Sequence, residues 1–171
     1  MIGVCDLNCF ISEACEVVKI SGSGDDVGTV DRARFELFVQ EKLLPVLGNY
    51  SLGESRSLVI IDNATIHHSD EIINMIEGKG AKILYLPPYS PDLNPIELMF
   101  AVYKRKVCRE AKYYDWVVSH LHALDSVTPA SAKNMFRCGI RVCDDIDSKK
   151  AIRVIVIVLL VLQVMKNNNI Y

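Results

Sequence analysis

Two carboxylates stand at positions suited to chemistry. Asp62 directly follows Ser57–Ile61 (SLVII), an almost wholly apolar run. That is the pattern of a strand buried on both faces, and reactive groups in α/β sheets collect at the carboxyl ends of strands. Glu97 follows the loop Pro87–Pro95 (PPYSPDLNP), which holds four prolines in nine residues. Proline fixes its own φ and restrains the residue before it, so this loop is stiff. Asn94 then suits the N-cap of a helix, Pro95 its first position and Glu97 its third. Thirty-four residues lie between the two acids. Hard oxygen ligands on rigid elements are what a divalent cation requires, with room left for substrate phosphates. Each acid also has a plain structural reading. Asp62-Asn63 serves as a strand-end turn, and Asn94 with Glu97 comes close to a capping box.

The flanking pattern must position these groups. Ile2–Ile11 and Cys15–Ile20 read as two short strands joined by a turn. Ser21–Gly28 (SGSGDDVG) reads as a polar connector, because it lacks the Gly-Lys-Ser/Thr ending of a phosphate loop. A helix starts near Thr29 or Asp31, with Phe35, Phe38, Val39, Leu43 and Val46 on one stripe; Pro45 and Gly48 mark its end. Ser69 caps a second helix that stops at Gly78 or Gly80, and Lys82–Leu86 is another strand. Helices follow from Pro95 to about Arg109, in Trp116–Leu124 and in Ala130–Phe136. Strands and helices in this order describe an α/β layer fold.

The 171 residues suit one domain with a tail, and a half-apolar, 23% charged composition permits a packed core. A net charge of −2 excludes a globally basic nucleic-acid coat but not a local one. Lys104, Arg105, Lys106, Arg109 and Lys112, with Glu110, form a stretch of net +4. It reads either as a DNA-backbone contact or as a solvated helix face. The six cysteines read as reduced, mostly buried thiols. With His120 and His122 they do not match common zinc spacings. Trp116 reads as a core anchor.

The chain divides into residues 1–145 and an apolar tail, residues 146–171. Val154–Leu162 is VIVIVLLVL. As a helix Val154–Met165 would span about 18 Å against a hydrocarbon core of about 30 Å, so a membrane partner is not expected. Its β-branched content favours a strand, which would be an aggregation hazard if exposed. The bland expectation is an appended tail with no evolved role.

The stretch Asp62–His67 (DNATIH), followed by Leu86–Glu97 (LPPYSPDLNPIE), closely resembles the mariner-type DDE transposases. Weaker similarity runs from Gly3 through Gly139, where TPASAKNMFRCG looks like the family's closing helix. The resemblance implies an α/β fold of the ribonuclease-H-like (integrase-like) type, here incomplete and lacking the first strand. It implies three acidic residues holding two Mg2+ (or Mn2+) ions, with Asp62 as the second acid and Glu97 as the third. His67 resembles the histidine that follows the second acid, and Asn63 and Asn94 match positions that orient neighbours. The family's first acid sits in an Asp-Glu context at the end of a strand central to the sheet. No such segment occurs here, and Asp6 reads as part of a hairpin. The implied chemistry is metal-dependent DNA strand cleavage and transfer, with this piece inactive alone; the alternative is a non-catalytic DNA-binding or dimerising remnant. The implied partners are transposon ends, target DNA and a second copy of the chain. No small-molecule substrate is implied, and the location is intracellular, nuclear in a eukaryote.

Overall fold

A computed structural model of the chain describes residues 1–16, 30–139 and 154–159. The expected connector Ser21–Gly28, residues 17–20 of the second expected strand, and Cys143 lie outside them.

The first strand is shorter than its apolar composition predicts. β1 is Ile2–Cys5, and the expected run to Ile11 breaks at Asp6. The Asp6 carboxylate accepts from the backbone N–H of Asn8 at 2.8 Å and of Cys9 at 3.3 Å, turning the chain back on itself. What returns is a pair of isolated bridges, Cys5 to Phe10 and Ile2 to Glu16. Asp6 also meets Arg56 Nη2 at 3.1 Å, which ties the turn to the loop before the next strand. The hairpin reading of Asp6 therefore holds, and its carboxylate is fully engaged there.

Helix α1, Arg32–Phe38, is capped by Asp31, which accepts from Arg34 N at 2.8 Å. It widens into a π turn over Val39–Leu43 and tightens into a 3-10 turn over Leu44–Val46. Pro45 has no N–H to continue the ladder, which accounts for the irregular exit. β2 is Leu58–Ile61; α2, Asp70–Gly78, is capped by Ser69; β3 is Lys82–Tyr85. Next come α3 (Pro95–Glu110), α4 (Trp116–Leu124) and α5 (Pro129–Gly139). β4 is Val154–Leu159, a strand as the β-branching predicts.

The four strands form one mixed sheet in the order β1-β4-β2-β3. β2 runs parallel to both β3 and β4, whereas β1 and β4 are antiparallel. Alternation along β2 explains the layering. Val59 and Ile61 join a core with Phe35, Phe38, Ile72 and Ile76 from α1 and α2. Ile60 joins a second core with Ile96, Met99, Phe100 and Tyr103 from α3, extended by Ala123, Ala132 and Phe136 from α4 and α5. The sheet thus lies between two helical layers, as its nearly continuous apolar strands require.

Tyr103 is fully buried, and its hydroxyl finds no partner among the described residues. An unsatisfied buried hydroxyl costs about 1–3 kcal/mol. Tyr103→Phe is therefore expected to leave stability unchanged or raise it by up to about 1 kcal/mol, read from urea midpoints at constant slope.

The cysteines depart from expectation. Cys5 is buried and Cys15 half-buried, and desolvation pushes the Cys15 thiol up to about 12. Cys108 and Cys138 are exposed, because they fall on the outward faces of α3 and α5. Trp116 is only half-buried; it packs on His120 with ring centroids 4.3 Å apart at the layer's margin.

Candidate active site

Asp62 leaves the end of β2 and enters a cleft of about 370 Å³ whose other wall is the proline-rich loop and the start of α3. Glu97, Asn63 and Asn94 line the same cleft. The two carboxylates therefore converge, from a strand end and a helix start that the stiff loop holds in register.

Asp62 is oriented by its own chain. Its Oδ1 accepts from Ala64 N at 3.0 Å and sits 2.6 Å from His67 Nδ1. His67 is completely buried, stacked near Phe35 at 4.4 Å, and its Nε2 has no partner among the described residues. Burial raises the Asp62 carboxyl, but the His67 hydrogen bond and charge, the Ala64 N–H and His68 outweigh it and hold the group below its ordinary value. Glu97 goes the other way. Burial raises its carboxyl, Lys104 draws it down, and Asp62 raises it further. The site thus pairs a carboxyl held below its ordinary value with one held above it. Such a split marks functional carboxylates, although structural ion pairs also produce it.

Asn94 occupies the N-cap of α3, yet its side chain makes no cap bond; Glu97 N donates instead to the Asn94 carbonyl at 3.2 Å. The capping-box reading fails on this point. The Asn94 Oδ1 is buried without a partner in the cleft wall. An orphaned oxygen beside two carboxylates is a hard donor set, and these residues fit a divalent cation. Asn63 turns its Oδ1 to His68 Nε2, 2.6 Å away, and so orients a neighbour. The sequence reading missed Tyr89, at the loop's tip. It is wholly exposed and sits at φ 55, a strained position for a non-glycine residue. The crowding of prolines around it was the available signal.

The basic stretch splits on α3. Lys104 lies within electrostatic reach of Glu97. Lys106 is engaged by Glu110 in an i,i+4 pair. Arg105, Arg109 and Lys112 are exposed. Glu110 also accepts from His122, 3.0 Å away, which links α3 to α4. Among the described residues, no group of three or more His, Cys, Asp or Glu side chains is placed to hold a metal.

A mixed sheet between helices thus carries Asp62 at a strand end, with Glu97 across one cleft at the start of α3. Residues 19–116, over half of the chain, match the family model of the DDE superfamily endonuclease, and the chain belongs to that family. It is a DDE transposase-type domain of the mariner/Tc1 kind. It is similar to the transposase of the transposable element Tc3 from Caenorhabditis elegans, with 32% identity over 84 residues. That match covers 49% of this chain and 26% of the relative, so the chain spans about a quarter of the relative's length. Members of the superfamily generally use divalent metal ions. No helix among the described residues is long and apolar enough to cross a membrane.

Proposed function

We propose that this chain carries part of a DDE transposase catalytic domain of ribonuclease-H-like fold, whose Asp62 and Glu97 hold a Mg2+ or Mn2+ ion against a DNA phosphodiester. The mixed sheet enclosed by two helical layers supports the fold assignment. One observation carries the function: Asp62 and Glu97 line one cleft, with the buried Asn94 oxygen beside them. In this reading residues 1–145 hold the catalytic part, transposon ends and target DNA are the partners, and the location is nuclear in a eukaryotic host. A bound divalent ion would activate the attacking oxygen and stabilise the leaving one. The chain's own residues set the stage. His67 fixes the rotamer of Asp62 and keeps it ionised. Burial and Asp62 make Glu97 the less readily ionised of the two acids. Lys104 offsets part of the negative charge on Glu97. Strand cleavage is expected to be absent from the isolated chain, because the described residues bring two carboxylates to the cleft and no third. Nicking of supercoiled DNA with Mg2+ or Mn2+ checks this. The expected result is no nicking above a buffer control; robust nicking abolished by Glu97→Gln would overturn the inactive reading.

A second reading rests on a separate observation, the exposure of Arg105 and Arg109 on the far half of α3 and of Lys112 just beyond it. A non-catalytic DNA-binding remnant would bind duplex DNA with steep salt dependence, and that binding would survive Asp62→Asn. Salt-insensitive binding would count against it.

A further inference from the structure

β1 and β2 are not paired with each other; β4 lies between them and pairs with both. Without that strand the sheet is two pieces with two unpaired edges, in a core where Ile2, Val4, Val59 and Ile61 are completely buried. The segment that fills the slot is the contiguous apolar run of the tail, whose composition fits a strand covered on both faces. Its register is defined on both sides. Ile157 stands beside Ile61 on β2, and Val156 stands opposite Cys5 on β1. One step further along the parallel pair, the position beside Asp62 is Val158.

We infer that Val154–Leu159 is an interior strand which this chain supplies to its own sheet, and that it places an apolar residue at the register position beside Asp62. The tail therefore makes the sheet continuous without adding charge. It holds Asp62 in place against Glu97 but gives the cleft no further carboxylate. A cation there has two acidic ligands from the described residues, and this second part rests on the function proposed above.

Two experiments on the full chain test the two parts separately. The first reads the strand alone. Paired positions on antiparallel strands lie within the Cα separations a disulfide spans, about 4.4–6.8 Å. Val156→Cys, oxidised under non-reducing conditions and mapped by mass spectrometry, is expected to link to Cys5 within one chain. Ile155→Cys and Ile157→Cys are expected not to link to it. No preference for position 156 would overturn the strand, and a link between chains would overturn its supply in cis. The second reads the cleft by Mn2+ titration calorimetry. Val158→Asp is expected to bind Mn2+ about tenfold more tightly than the natural chain, whereas Leu159→Asp gains nothing. A folded Val158→Asp without that gain, or two Mn2+ ions held by the natural chain, would overturn the second part. Mn2+ binding by the natural chain that ignores Asp62→Asn would sink the proposed function and leave the crosslink result standing.

Discussion

Asp62→Asn is expected to abolish Mn2+ binding, and Glu97→Gln to weaken it by about tenfold or more, in titration calorimetry near neutral pH. The inequality follows from the site. Asp62 arrives ionised and already aimed by His67, so it supplies the stronger ligand. Glu97 carries a carboxyl that burial and Asp62 both shift upward, so its charged form is held less firmly. Binding is therefore expected to weaken on acidification at a higher pH than an ordinary glutamate would dictate. Titrations repeated at falling pH check this. The same shifts give opposite signs in stability without metal. Glu97, raised on folding, penalises the folded state above its folded value, and the penalty disappears as pH falls below it. Asp62, lowered on folding from 3.8, contributes stability above that value, and the contribution is lost as pH falls through its folded value. Glu97→Gln should remove the first limb and leave the second.

Phe100→Ala is expected to cost about 3–5 kcal/mol in chemical denaturation, the largest stability loss among single substitutions named here. Phe100 is completely buried; it packs on Phe10 at 5.5 Å and Tyr103 at 6.2 Å between ring centroids. Its ring also lies against β1, where a Cβ built on Gly3 would come within 3.0 Å of it. Only the absence of a side chain at Gly3 permits that approach, so the cavity would open directly beneath the sheet. Phe100 stands one turn beyond Glu97 on α3. The substitution should therefore also weaken Mn2+ binding, even where the protein remains folded. A loss below about 1 kcal/mol would mean that the core closes over the gap.

How legible was this in the sequence? Strongly patterned segments were readable because burial on two faces leaves a continuous apolar signature: β2 and β3 came out within a residue, and α3 began at Pro95 as its cap predicts. Asp62 and Glu97 were legible as candidates because each sits at the border of such a segment. What failed was set by side-chain contacts that spacing does not encode. Asp6 ended β1 early by capturing two backbone N–H groups. Asn94 took the cap position without making the cap bond. Pairing partners were the other gap. The apolar run Val154–Leu162 carried the composition of a strand, but nothing local says which strands it will join.

That pairing joins two segments far apart in the sequence, since Ile2 meets Leu159 across the sheet. During synthesis β1 must then wait, with its backbone unsatisfied on that side, until Val154–Leu159 has left the ribosome. Completion of the sheet in this domain is in that sense delayed by construction. Its half-built form presents the kind of open apolar edge that chaperones cover.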